Sequence, residues 1–140
     1  AVADILPDIA FMHWPRDVHS DHEVASQLSK VALRHGDRLL SSEAADKWYG
    51  PARIYQYDNG PWHTEGFEPD TYYDVSDVWV ESTEWIGKLM ALVQNKTYDP
   101  KIVDPAVKVR EVLLAYRGAA CGIDYAEAFR AGNAYAQDIL

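Results

Sequence analysis

The sequence predicts an α/β fold, a largely parallel sheet flanked by helices. Short apolar or aromatic runs alternate along the chain with segments whose apolar residues recur at helical spacing, the pattern of strands layered with helices. The first run, "DIAFMH", is continuously apolar at its centre rather than alternating, as in a strand buried on both faces of a parallel sheet. With 140 residues and 48% hydrophobic content, the chain is expected to form one domain over residues 1–140 with a substantial core.

Taken in order, Asp8 to His13 is the first strand. From Asp21 to His35, Val24, Leu28 and Val31 recur at helical spacing, widened by Ala25, Ala32 and Leu33, and predict an amphipathic helix. "ARIYQY" (Ala52 to Tyr57) and "TYYDV" (Thr71 to Val75) are aromatic and β-branched, and fit a pleated, half-buried surface. Between them "DNGPWHTEGFEP" is a loop punctuated by glycine and proline. Ser76 to Gln94 returns to helical spacing with Val78, Trp85, Leu89 and Leu92 on one side. Asp104-Pro105 is a helix start, an N-cap acid followed by a first-turn proline, and Arg117-Gly118 reads as its stop. A further short helix is expected from Ala128.

Charge and covalent chemistry narrow the function. A formal net charge of −9, with only 13 Lys and Arg, argues against a nucleic-acid partner, whose affinity comes largely from clustered cations. A neutral, sugar-like substrate suits this surface better. The single cysteine, Cys121, cannot form an internal disulfide, so nothing requires an oxidising compartment, and the expectation is cytoplasmic. No stretch reaches the roughly 20 apolar residues of a membrane span, and no membrane partner is expected. The opening "AVADILPDIAFMHW" enters a strand-like run almost at once, as if inside a larger fold.

The stretch that points to chemistry is "DVHSDHEVASQ", Asp17 to Gln27, with two histidines and two acids in six residues before a helix. Ser20 and Glu23 have capping-box spacing, which makes Ser20 the expected N-cap and puts His22 in the first turn, with His19 just outside. A helix N-terminus following a sheet strand is where ligands bind in open α/β folds. The positive end of the helix dipole favours neutral imidazole, which can offer a lone pair to a metal. The two rings need not point the same way, so one ligand and one catalytic group is as reasonable as two ligands. Asp17 and Asp21 are placed to supply the hydrogen bond that orients a metal-bound imidazole. On spacing alone, the same residues also read as a histidine-rich helix start exposed to solvent.

"PDIAFMHWPRDVHSDHEVASQLSKVALRH" resembles the second signature of the PIG-L (LmbE-like) family of zinc-dependent N-acetylglucosamine deacetylases, a strand followed by Asp-x-His-Pro-Asp-His and a helix. "PARIYQY", "FEPDTYYDVSDVW" and "YRGAACGIDYAEAFR" resemble later family stretches in the same order. The resemblance implies a Rossmann-like, mostly parallel sheet flanked by helices, here the carboxyl-terminal portion lacking its N-terminal strands. It implies zinc as cofactor, His22 as a zinc ligand, His19 as the residue that stabilises the transition state, and Asp17 and Asp21 as orienting residues. Ser20 stands where the family has proline, and both residue types suit a helix start. Tyr125 and Glu127, in "YAEAF", match a family motif near the substrate, and equally read as residues that close the sheet. The family's His-Pro-Asp-Asp motif, which supplies two more zinc ligands and the general base, occurs nowhere in these residues. His13 at a strand end and His35 at a helix end are expected to be structural or solvated, and His63 to lie near substrate.

The resemblance therefore implies a hydrolase acting on an N-acetylated amino sugar or its conjugate. Zinc would lower the pKa of a water and polarise the acetyl carbonyl, while His19 would meet the charge developing on oxygen. Trp62 in the loop, with Tyr55 and Tyr57 on the preceding strand, could stack on the apolar face of a sugar ring, and the same aromatic residues also read as core or rim. The missing ligands are expected from an N-terminal segment or a second chain, and uncovered strand edges from an incomplete sheet favour an oligomer. The alternative is a non-catalytic remnant of the fold that binds a sugar or a partner protein.

Overall fold

A computed structural model describes residues 2–35 and 50–132. A helical turn, α1 (Val2–Ile5), precedes β1 (Ile9–His13), α2 (Ser20–His35), β2 (Arg53–Tyr57) and β3 (Thr71–Asp74). A 3-10 turn (Ser76–Val78) leads into α3 (Trp79–Val93), followed by α4 (Pro105–Cys121) and β4 (Ala126–Ala131). The strands form one sheet in the order β1-β2-β4-β3. β1 runs parallel to β2 in a register from Ile9↔Arg53 to His13↔Tyr57, and β4 runs antiparallel to β2, with Tyr55 opposite Ala131. The α/β architecture is thus the one expected, in a sheet of mixed direction. The chain divides into two compact units, Ala1–Thr71 with Phe129–Leu140, and Tyr72–Ala128.

In the first unit, α2 packs on β1 by a face different from the one its sequence advertises. Ser26 and Leu33 are buried, and with His22 and Ser29 they mark an inner face at four- and three-residue spacing. Leu33 joins Met12 and Ile54 in the core, and the Ser26 hydroxyl donates to the His13 carbonyl at 2.8 Å. That anchor turns the expected core stripe outward: Val24 and Val31 are exposed, and Leu28 is 65% exposed. β1 is likewise covered on one face only. Met12 is buried against α2, whereas Ile9 and Phe11 on the other face remain exposed, although Phe11 stacks on Tyr55 and meets Phe129 at a tilt. The expectation of a strand buried on both faces is corrected accordingly.

In the second unit, α4 begins as its sequence requires. The Asp104 side chain accepts from the Ala106 amide at 2.8 Å and Pro105 occupies the first turn. The helix does not stop at Arg117-Gly118. It runs one turn further, to Gly122, whose φ of 77° is the left-handed conformation that favours glycine at a helix end. Gly118 is needed for another reason: a Cβ there would lie 2.6 Å from the carbonyl oxygens of Ile123 and Asp124, which fold back against the helix. α3 buries no residue fully, so its expected apolar side, Val78, Trp85, Leu89 and Leu92, stays open.

The short helix expected from Ala128 is instead strand β4 as far as Ala131; residues 133–140 lie outside the described residues. Ala126 and Ala128 are buried while Glu127 and Phe129 are partly exposed, a period of two that sheet pairing imposes over the helix preference of Ala and Glu. Among the described residues, no helix is long and apolar enough to cross a membrane.

The close backbone approach at Gly118 gives a direct test. Gly118→Ala should destabilise the protein by about 1–3 kcal/mol, the usual cost of forcing a methyl group into packed surroundings. Denaturant titration measures it, and an unchanged midpoint would show that the turn after α4 does not press on the helix.

Candidate functional site

The site is assembled by pairing between the segment before α2 and the loop after β2. The Val18 amide donates to the His63 carbonyl at 2.8 Å, the Glu65 amide donates to the Arg16 carbonyl at 3.1 Å, and Asp17 bridges Thr64. The Trp14 indole N–H adds a bond to the Glu65 carbonyl at 3.0 Å. Two loops separated widely in sequence are thereby fixed side by side, and four of the chain's five histidines form a row. The His63 ring stacks on His19 at 4.8 Å, His19 meets His22 edge-on at 5.1 Å, and His22 stacks on His13 at 4.7 Å.

α2 begins one residue earlier than the capping-box reading. The His19 carbonyl accepts from the amides of His22 and Glu23, which makes His19 the N-cap, and the Glu23 carboxylate reaches back to the Asp17 amide rather than to Ser20. His19 is still at the mouth of the helix and His22 within its first turn. His22 shares the inner face of α2 with Ser26, which aims it at the end of β1.

Asp17 is the centre of this arrangement. Only 8% exposed, its carboxylate accepts from the His19 amide (3.0 Å), the Asn59 amide group (3.0 Å) and the Thr64 hydroxyl (3.1 Å), and contacts His22 Nδ1 at 3.1 Å. Burial alone would raise its pKa, but the bonds from Asn59, His19, Thr64 and His22 outweigh it and hold the carboxyl well below the usual aspartate range. His13 is shifted down, first by burial and then by the neighbouring His22, against the opposing pull of Asp17 and Asp21.

Hydrogen counting limits the arrangement. Asn59 Nδ2 has two hydrogens and three neighbours within 3.0–3.1 Å, Asp17 Oδ2, His13 Nδ1 and His22 Nδ1, so it cannot donate to all three. Asp17 Oδ1 also faces His22 Nδ1, and two acceptors would repel, which favours a proton on that nitrogen, donated to the carboxylate. With the proton there, a neutral His22 would present its lone pair on Nε2.

The structure thus gathers Asp17, His19, His22 and His63 in one place. Asp21 is exposed on the first turn of α2 and reaches the row through its charge on His13. Trp62, next to His63, is 78% exposed in a left-handed conformation (φ 73°) that turns its indole outward. Tyr125 and Glu127 belong to the second unit, where Tyr125 stacks on Trp79 at 4.5 Å and Glu127 pairs with Arg110. Sequence reasoning missed His13, Asn59 and Thr64. The signal for them was the buried-acid question: a carboxylate at Asp17 needs donors, and the loop after β2 offers Asn59 and Thr64.

Among the described residues, no group of three or more His, Cys, Asp or Glu side chains is arranged to hold a metal ion. The residues present fit one metal ligand, His22, together with its orienting carboxylate.

The sequence matches no family model and no curated protein. Among solved structures, the chain is similar to the conserved protein TT1542 from Thermus thermophilus, with a TM-score of 0.64 and 23% identity over 98% of this chain. It is also similar to GalB, the 4-carboxy-2-hydroxymuconate hydratase from Pseudomonas putida, with a TM-score of 0.65 and 19% identity over 99% of this chain. At these identities the likeness shows a shared fold. The chain spans 57% of the length of each of these two proteins.

The depressed Asp17 pKa has a definite sign. A carboxyl whose folded pKa lies below its unfolded value of about 3.9 contributes stability that is complete above that value and is lost as pH falls towards the folded one. Asp17→Asn should therefore melt well below the wild type at pH 7, and the gap should narrow as pH falls below about 4. Thermal melts of both proteins from pH 7 to pH 3 measure this; a gap that stays constant would show that the Asp17 charge does not stabilise the fold.

Proposed function

We propose that the histidine row is one part of a zinc-dependent amide-hydrolase site that removes the acetyl group from an N-acetylated amino sugar or its conjugate. The observation that carries this reading is the Asp17–His22 contact at 3.1 Å, a carboxylate–imidazole pair that leaves Nε2 free for a metal. In this reading His22 is the ligand and Asp17 orients it, with Asp21 adding negative charge nearby. When bound, zinc would supply an activated water and polarise the acetyl carbonyl. His19, at the positive end of α2 and stacked on His63, stabilises charge on the carbonyl oxygen. Trp62 stacks on the sugar ring, with His63 beside it.

One ligand does not hold a catalytic zinc, which takes three. The remaining ligands and the general base come, on this proposal, from an N-terminal segment or a second chain. The exposed apolar stripe of α2 and the uncovered face of β1 support such a partner or an oligomer, because both would be stabilised by being covered. The shared fold with TT1542 and GalB is compatible with an enzyme, and the unpaired, exposed Cys121 suits a cytoplasmic setting.

The test is made on the protein together with that partner. His22→Ala should lose both zinc and deacetylation of an N-acetylglucosamine conjugate. His19→Ala should keep zinc and lose about 10²–10³ in turnover, the usual effect of removing one transition-state donor. Elemental analysis and turnover on both variants decide it: reversed behaviour exchanges the two roles, and indifference of both quantities to both substitutions leaves the row as a non-catalytic remnant.

A further inference from the structure

We propose that the groove between α3 and α4 in the second unit is a binding site for a neutral sugar ring. The groove encloses about 380 Å³, within the range of small-ligand sites, about 300–1,000 Å³. Its apolar walls include Trp79, Trp85, Ile86 and Leu114, and its polar groups include Arg110 and Glu127. The sequence builds it by spacing. Val78, Ser82, Trp85 and Ile86 recur along one face of α3 and its leading turn, Arg110 and Leu114 lie one turn apart on α4, and Glu127 comes from β4.

Two features choose the ligand. Trp79 is held rigidly by its stack on Tyr125, while Trp85 is 62% exposed, so the groove combines a fixed indole with an open one. An indole face takes up the apolar face of a ring, and a pyranose offers such a face. The Arg110–Glu127 ion pair then presents a donor beside an acceptor, matching neighbouring hydroxyl groups that each donate and accept. A purely apolar ligand would bury this pair without satisfying it. Glu81 also lines the groove, so its charged residues sum to −1, which disfavours phosphate and carboxylate ligands. No residue of the histidine row takes part and no metal is required. The site therefore stands or falls separately from the deacetylase reading, and it gives Glu127 a binding role of its own.

Calorimetric titration of the purified protein with glucose, N-acetylglucosamine and glucose 6-phosphate tests the proposal on the wild type, Trp85→Ala and Glu127→Gln. A neutral sugar should bind saturably, the phosphorylated sugar more weakly. Trp85→Ala and Glu127→Gln should each weaken binding tenfold or more. Because Trp85 is exposed, its replacement leaves the fold intact, and it decides the matter alone if Glu127→Gln fails to fold. The proposal is overturned if no neutral sugar saturates, if Trp85→Ala binds normally, or if the phosphorylated sugar binds more tightly.

Discussion

The first unit is organised around one buried negative charge. An ionised carboxylate removed from water is costly unless it is fully hydrogen-bonded. Asp17 meets that demand with donors from three places: the start of α2, the first helical turn, and the loop after β2. Satisfying the carboxylate therefore fixes these segments relative to one another. The row from His63 to His13 follows from that constraint, since its members are carried on the same segments.

The same constraint explains the orientation of α2. Had the helix buried Val24, Leu28 and Val31, each side chain would have gained up to about 1.5–3 kcal/mol, and His22 would have turned away from Asp17. Instead the inner face carries His22, Ser26 and Ser29 as well as Leu33, and the apolar stripe is left in solvent. A helix that forgoes this burial is either covered by something else or retained for what its polar face holds.

Most elements were legible because their signals are local. Aromatic and β-branched content marked β2 and β3, the Asp104-Pro105 pair marked the start of α4, and "DVHSDHEVASQ" marked the opening of α2. What was not legible depends on tertiary contact. Gly118 looks like a stop until the returning carbonyls of Ile123 and Asp124 show that it is a close-approach residue inside a helix. "AEAF" looks helical until β2 pairs with its continuation. In the site, His19 and His22 were visible from spacing. Asn59 was not, because its importance lies in meeting Asp17, His13 and His22 at once across a large sequence separation.

A shared fold restricts where chemistry can happen more than what the chemistry is. At 19–23% identity, the similarity to TT1542 and GalB shows a shared fold. It does not distinguish hydration from amide hydrolysis. What separates the two adjacent histidines is their neighbour. His13 and His22 stack face to face and contact the same amide nitrogen, but of the two only His22 lies against a carboxylate oxygen. Asp17 therefore favours a proton on His22 Nδ1 and an open Nε2, a bias between two stacked rings that comes from a single oxygen.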